Sequence, residues 1–485
     1  MSDFLSAHHY FLARLFFERS LGLIYLVAFL SAYNQFPALL GEKGLLPTPD
    51  YLKVTSFKDS PSLFHWKYAD QLLKTVCLIG MGISLLMASG LIGQGPISLH
   101  MASWLTLYVL YLSIVNVGQD FYGFGWETML LEAGFFAAFM GPSWVTPSWI
   151  PILILRWMLF RTEMGAGLIK MRGDPCWRDL TCLYYHHETQ PLPNPLSRFF
   201  HLRPKIFHRM GVVFSHFCQL VVPIGLFLPQ PMAGISGFFL ILHQLILVIS
   251  GNYSWLNWLT IVLGFLAFSN INPPEITFAP RPLWFELAQY VAFILAVILS
   301  YRPCLNLFSP RQFMNYCWNR WHLVGAYGAF GSVTKERYEI VIEGSASQDQ
   351  FDETSWREYG FKGKPGELNR TPPIVAPYHL RLDWMIWFLP FTVLVSGKSI
   401  YLRGHRLYFI RLMLKLLMND TALLKLFRTV PFKESPPVWV RAKFYHYQFT
   451  SKEEFHSTGN IWKRELLGEF CPPLSLNEFE YLKKV

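Results

Sequence analysis

Long apolar stretches recur through the first three hundred residues and predict a bundle of membrane-spanning helices. Each is close to the roughly 20 residues that an α-helix needs to cross a bilayer. The fourth and eighth are short, so we expect seven to nine spans. The stretches lie near residues 14–34, 71–93, 100–117, 126–141, 151–170, 211–229, 232–250, 254–270 and 283–300. Tryptophan and tyrosine occur at many of their ends, as interfacial side chains do.

After Tyr301 the pattern changes to alternating apolar and polar positions with more prolines and charges. Residues 337–344 and 438–449 predict β-strands, and residues 402–418 predict a basic amphipathic helix, packed beneath a sheet or on a membrane surface. The expected fold is therefore an α-helical polytopic membrane bundle (1–310) followed by a smaller β-containing extramembrane domain (325–485), either α+β or β-sandwich-like.

A polar loop at residues 171–209 interrupts the apolar pattern and holds six Lys and Arg residues. This charge favours the cytoplasmic side, whereas a cysteine pair in the loop favours an oxidising compartment, so the orientation stays open. The N-terminus lacks the layout of a cleaved signal peptide, and we interpret residues 12–33 as a retained first span.

The composition supports a membrane protein. Hydrophobic residues make up 52% of the 485 residues and charged residues 15%, against about 25% in an ordinary soluble protein. The net charge of +10 fits basic loops beside anionic lipid. No basic run stands apart from apolar sequence, so nucleic acid is not an expected partner, whereas membrane lipid is.

Charged residues inside the 151–170 stretch form the first candidate site. Arg156, Glu163 and Lys170 are spaced seven apart and therefore share one helix face. The sequence Gly165-Ala166-Gly167 would let another backbone approach that helix. The three charges either join neighbouring helices or snorkel at the two helix ends, or Lys170 is a catalytic base whose pKa is lowered by burial and a neighbouring Arg.

Two acids lie in the fourth stretch. Glu127 and Glu132 are five residues apart, about 140° around a helix, so they do not form a carboxylate pair on that helix. We expect each to pair with a cation elsewhere, and Arg156, Arg161 and Lys170 are the candidates.

The segment after Lys170 concentrates polar side chains that we group with this candidate cluster: Arg172, Asp174, Trp177, Arg178 and Asp179. Cys176 and Cys182 form either a small disulfide loop or two buried thiols. Neither this spacing nor the following His-His-Glu matches a zinc motif, so no metal and no cofactor are expected. Asn252 begins a glycosylation sequon at a membrane edge, where an amide more often bonds backbone freed by a helix break.

Several of these segments resemble the lipase maturation factor family. They include Gly44-Leu45-Leu46-Pro47, the stretch 127–134, the long block 168–195, Gly251-Asn252-Tyr253, and the stretches 359–366 and 376–384. The resemblance implies a multi-pass membrane protein, a folding factor or chaperone that helps secreted lipases assemble as active dimers. It implies the endoplasmic reticulum membrane in a eukaryote and the inner membrane for a bacterial relative.

The family is also distantly similar to the membrane domain of vitamin K-dependent γ-carboxylase. In that enzyme an Ala-Gly-x-x-Lys run holds the catalytic lysine, and residues 166–170 here match the run. The alternative function is therefore a membrane enzyme that uses Lys170 as a base. A transporter is a third class, disfavoured because no paired broken helices are evident in two matching halves.

Overall fold

The computed structural model describes residues 6–270, 277–394 and 407–482. Helices dominate its first three hundred residues. The longer ones are α1 Phe11–Leu40, α3 Asp70–Ser89, α4 Ile97–Asn116, α5 Gly125–Ala137, α6 Trp149–Arg172, α10 Lys205–His216, α11 Met232–Ser250, α12 Leu256–Gly264 and α13 Leu283–Phe308. The short ones are α2 Thr48–Val54, α7 Pro175–Arg178, α8 Leu183–Thr189 and α9 Ser197–His201.

Six helices in the described ranges are long and apolar enough to cross a membrane, which confirms the polytopic membrane bundle. They are His8–Leu40, Asp70–Ser89, Ile97–Asn116, Lys205–Phe227, Met232–Ser250 and Leu283–Phe308. The other three stretches predicted as spans correspond to α5, which has 13 residues, to α6, which carries several charges, and to the short apolar helix Leu256–Ala267.

Helix α1 lies in the core of the bundle and packs against α3 through small residues. A Cβ atom on Gly22 would lie 2.9 Å from the backbone nitrogen of Ala88. A Cβ atom on Gly80 would lie 2.6 Å from the ring of Phe29. The two helices therefore approach at distances that larger side chains would prevent, as is usual for helix pairs in membranes.

A four-stranded antiparallel sheet follows the bundle, in the order β2-β1-β3-β4. Its strands are β1 Arg337–Ser345, β2 Arg357–Glu358, β3 Trp439–Phe449 and β4 Trp462–Leu474. Both predicted strands are present as β1 and β3, and they pair over nine positions. Helices α14 Arg381–Leu394, α15 Leu407–Leu417, α16 Thr421–Leu424, α17 Lys452–Thr458 and α18 Leu476–Leu482 complete an α+β arrangement.

Helix α15 connects the sheet to the bundle. The rings of Phe409 and Phe470 on β4 are 5.3 Å apart, and Arg411 donates a hydrogen bond of 3.1 Å to the carbonyl of Leu45 after α1. The amphipathic helix predicted at 402–418 therefore packs beneath the sheet. Its first residues, 402–406, lie outside the described residues.

Candidate functional site

Lys170 and Glu163 lie in one enclosed hydrogen-bond network. The Lys170 amine donates to Ser215 Oγ at 3.1 Å and to Gln219 Oε1 at 2.9 Å. The Gln219 amide in turn donates to Glu163 Oε2 at 3.2 Å. Both charged side chains are buried, and the Lys170 amine lies 4.4 Å from the ring centre of Trp177. The predicted face of α6 thus brings these two charges to one place, joined through an amide.

Two more amides extend the network to other helices. Gln244 on α11 donates to Glu163 Oε1 at 2.6 Å, and Asn257 on α12 donates to Gln244 Oε1 at 2.6 Å. Helices α6, α10, α11 and α12 and the π-helical segment Phe217–Val221 are therefore linked by buried polar contacts. Such a network joins helices firmly because its groups have few other partners in an apolar setting.

Arg156 belongs to a different contact although it shares the α6 face. Its guanidinium donates to the carbonyls of Leu266, at 2.8 and 3.0 Å, and of Leu226, at 3.1 Å. It also lies 5.0 Å from the ring centre of Tyr10. Arg156 therefore satisfies carbonyl groups at helix ends, where no intrahelical donor is available.

Glu132 pairs with Arg161, one of the three cations that the sequence offered. Its other oxygen accepts from Tyr327 Oη at 2.6 Å and from the backbone nitrogen of Gly325 at 3.0 Å. Arg161 also donates to the Gly325 carbonyl. The carboxylate is thus paired within the bundle and anchors the segment that leads to the sheet.

Glu127 pairs with a cation that the sequence did not suggest. Its Oε1 lies 2.8 Å from the guanidinium of Arg381, at the start of α14, and 3.6 Å from His379 Nδ1. Tyr111 donates to its second oxygen, and the Arg381 guanidinium lies 3.5 Å from the ring centre of Tyr122. This buried ion pair joins the helical bundle to the C-terminal domain.

The polar residues after Lys170 have local and long-range roles. Arg172 donates to Gln312 Oε1 and to the Leu307 carbonyl, each at 2.7 Å. Asp174 caps α7 by accepting from the Cys176 nitrogen, and Trp177 donates to the Phe330 carbonyl at 2.7 Å. By contrast, Arg178 and Asp179 are exposed and lie outside the enclosed network.

Cys176 and Cys182 form a disulfide in the structure, with Cα atoms 4.8 Å apart. Together with Trp177 and Val212 it belongs to a small apolar cluster between this loop and α10. The disulfide therefore lies directly beside the aromatic ring that covers Lys170.

Asn252 forms hydrogen bonds through both the nitrogen and the oxygen of its side-chain amide. It donates to the carbonyls of Pro193 and Pro373, at 3.0 and 2.9 Å, and accepts from the nitrogens of Val375 and Ala376, at 2.8 and 3.0 Å. Because this side chain is buried and fully bonded, it fixes the loop before α14 against the bundle.

A group of buried charged side chains, which the sequence did not predict, lies where β1 meets the polar loop at 171–209. Arg337 bonds Glu339 at 2.5 Å, and Lys364 bonds the same carboxylate. Arg337 also donates to the carbonyls of Glu188, at 2.9 Å, and Gln190, at 2.5 Å. The alternation of apolar and polar residues in 337–344 predicts a strand. It does not predict which side chains pair with the charged residues on the buried face of that strand.

Two ionisable groups near this contact have shifted pKa values. Burial raises the pKa of Asp383 to about 6, although its carboxylate accepts from the nitrogens of Gly363 and Lys364. Burial lowers the pKa of Lys364, against the opposing effect of Glu339. In the described part of the chain, no group of three or more His, Cys, Asp or Glu side chains could hold a metal ion.

The helical bundle, its buried charges and the appended sheet define a polytopic membrane protein with an α+β C-terminal domain. Residues 12–272 match the lipase maturation factor transmembrane domain, and residues 323–472 match the lipase maturation factor C-terminal domain. The chain belongs to the lipase maturation factor family.

Curated relatives cover nearly the whole chain. Lipase maturation factor 1 of Bos taurus is 39% identical over 97% of this chain and 90% of its own length. The Mus musculus protein of that name is 39% identical over 98% and 89%. Lipase maturation factor 2 of Xenopus tropicalis is 27% identical over 96% and 83%. No solved structure matches this chain.

Proposed function

We propose that this protein is a membrane-embedded maturation factor that promotes the folding and assembly of active secreted lipases. The observation that carries the proposal is the similarity to lipase maturation factor 1, which spans both the bundle and the C-terminal domain. A role that needed only one of the two parts would not require this relationship to extend across both.

The buried charges support a scaffold role for the bundle. Glu127, Glu132 and Glu163 each accept from at least two protein donors. Buried side chains bonded in this way join neighbouring helices. In the alternative, Lys170 acts as a base, and the same network would have to open to admit a substrate.

The edge of the sheet is the surface that we assign to the client. Strand β4 is the last in the order β2-β1-β3-β4, and its Leu466 and Leu467 are 50% and 48% exposed. An exposed strand edge offers unpaired backbone groups, and apolar side chains beside them favour addition of another strand.

We place the protein in the endoplasmic reticulum membrane. Six apolar helices support a membrane location, and a disulfide between Cys176 and Cys182 forms most readily in an oxidising compartment. In this arrangement the disulfide-bearing loop faces the lumen, where secreted proteins fold.

Complementation tests the proposal. The chain is expressed in cells whose own lipase maturation factor gene is deleted, and secreted lipase activity is compared with secreted lipase protein. We expect activity per unit of lipase protein to rise, with an unrelated polytopic membrane protein expressed as the control. Unchanged activity per unit of lipase, at a normal level of this protein in the membrane, would contradict the proposal.

A variant pair in the same cells tests the strand edge. Replacing Leu466 and Leu467 with Asp places charge beside the edge, and we expect at least a severalfold loss of lipase activation. The matched control is Phe351→Asp, a change at a side chain that is 80% exposed in the segment between β1 and β2. Equal lipase activation by the two variants would contradict the assignment of the client to this strand edge.

A further inference from the structure

A groove of about 290 Å³ lies between the polar loop and the C-terminal domain. Its volume is close to that of the smaller ligand sites in proteins, about 300 Å³. Three cations and no acidic residue line it, together with aromatic and aliphatic side chains. The lining residues are Pro195, Arg198, Phe199, Leu202, Arg203, Thr371, Pro372, Lys452, Phe455 and Ile461.

The groove has free positive charge. Arg198 is occupied, because it donates to the carbonyls of Thr450 and Ser451 and lies 4.7 Å from the Phe455 ring. Arg203 lies 3.9 Å from the Phe199 ring and gives only its Nε to a carbonyl. Within the described residues, neither Arg203 nor Lys452 forms a salt bridge.

The acids nearest to Lys452 along the chain already have partners. Glu454 pairs with Lys463 at 2.8 Å and also accepts from the Ser451 nitrogen. Glu453 accepts from Ser451 Oγ at 2.8 Å. Hydrogen bonds from its own backbone and from Ser451, together with the charge of Lys452, lower the pKa of this carboxyl, without a direct salt bridge to Lys452 in the described structure. Arg203 and Lys452 therefore both have donors available to a ligand, and they lie beside apolar walls.

The groove adjoins the start of a candidate membrane span. A candidate span begins at Lys205, two residues after Arg203, so the two Cα atoms are at most about 7 Å apart. Ile206 and Met210 on the first turns of that span are 63% and 64% exposed, as expected of side chains that face lipid. Phe199, at the rim of the groove, is 49% exposed and continues this apolar surface.

We propose that this groove binds the headgroup of an anionic phospholipid. Arg203 and Lys452 would hold the phosphate and its neighbouring anionic group, and Phe199 and Leu202 would contact the start of the acyl chains. Cations next to an apolar surface at the level of the headgroups are the arrangement that recognises acidic lipids. Because the groove is lined by both parts of the chain, a bound lipid would also hold the C-terminal domain close to the bilayer.

Lipid retention by the full-length protein tests this proposal. The protein is purified in a neutral detergent, given phosphatidylglycerol or phosphatidylcholine, and examined by native mass spectrometry. We expect preferential retention of phosphatidylglycerol, and about 30-fold weaker retention in the Arg203→Gln, Lys452→Gln double variant. The matched control, Arg357→Gln with Lys433→Gln, removes the same charge at two positions that do not line the groove and should retain the lipid as the unmodified chain does.

Equal retention of the two lipids by the unmodified protein, or an equal loss in both double variants, would overturn the proposal. So would displacement of phosphatidylglycerol by an oligoglutamate peptide at lower concentration, which would identify an acidic peptide as the ligand. If the double variant does not fold, Lys452→Gln alone carries the test, because this side chain is exposed and forms no salt bridge in the described structure. About fivefold weaker retention is then expected.

Discussion

Glu163 shows how single side chains make a charge acceptable inside the bundle. Its two oxygens accept from the amides of Gln219 and Gln244, and among the described residues no cation contacts either oxygen directly. The Lys170 amine is connected to Glu163 through the side-chain amide of Gln219 and donates to Ser215 and Gln219. Amides can donate and accept at once, so a single Gln219 side chain serves an anion and a cation. Removing either charge leaves the other without compensation in an apolar setting.

Substituting Lys170 with Met distinguishes the scaffold from the enzyme. We expect the unfolding temperature to fall, with a loss of about 3–5 kcal/mol, because Glu163 stays buried without its compensating charge. Lipase activation per folded molecule should remain unchanged. A base in a reaction would give the reverse: normal accumulation and thermal stability with activation essentially abolished. Thermal unfolding in detergent and the complementation assay measure the two quantities.

The residue roles were only partly predictable from the sequence. The spacing of Glu163 and Lys170 places them on one helix face because of helix geometry. Residue type makes Arg161 one of three candidate partners for Glu127 and Glu132, without saying which acid it pairs with. Arg381 as the partner of Glu127 was not predictable, because the two lie 254 positions apart and only the packing of the domains brings them together. Gln219 and Gln244 gave no signal, because isolated amides in apolar helices have no characteristic spacing.

At the scale of elements, the close approach of other backbone to α6 depends on its glycines, as the sequence predicted. A Cβ atom on Gly165 would lie 2.2 Å from the carbonyl oxygen of Tyr327, and one on Gly167 would lie 3.0 Å from that of Gln219. The helical pattern indicated α6 and suggested that something approaches it. It could not identify the segment after α13, because that segment has no periodic pattern of its own.

Gly165→Ala tests this packing. We expect the unfolding free energy to fall by about 1–3 kcal/mol, because a backbone carbonyl cannot move aside as a flexible side chain does. Gly82→Ala is the matched control, since a Cβ atom at Gly82 in α3 meets nothing within 4 Å. The control should leave stability unchanged or slightly raised, because alanine favours a helix more than glycine does. Equal effects of the two changes would contradict the proposed contact.

Acid should lower the unfolding free energy through His379, in the loop that precedes α14. Burial and the nearby Arg381 guanidinium lower the pKa of His379 to about 4, below its usual 6.5. The neutral ring is therefore favoured in the folded protein, so its contribution is complete above pH 6.5 and is lost as the pH falls through 4. At pH 5 the loss is roughly 2 kcal/mol. We expect His379→Gln to reduce the pH dependence of thermal unfolding between pH 7 and 5, and the exposed His456→Gln to leave it unchanged.

The whole molecule is held together by buried contacts between the bundle and the C-terminal domain. Arg337 donates to backbone carbonyls of the polar loop, Asn252 bonds the backbone of the loop before α14, and Glu127 pairs with Arg381. Four of the segments that resemble the family, 127–134, 168–195, 251–253 and 376–384, meet at this junction. The sequence predicted the two parts, but it contained no periodic signal for the surface between them.

A double-mutant cycle on Glu127 and Arg381 measures how far this junction stabilises the protein. We expect each single change, Glu127→Leu or Arg381→Leu, to lower the unfolding free energy by about 3–5 kcal/mol, because each leaves one buried charge unpaired. The double variant should lose clearly less than the sum, since no unpaired charge remains. The exposed pair Asp50 and Lys53 provides the control, and its cycle should show almost no coupling. Additive losses of unfolding free energy at Glu127 and Arg381 would mean that their ion pair does not join the bundle to the C-terminal domain. In that case limited proteolysis between α13 and β1 would proceed at the same rate in all variants.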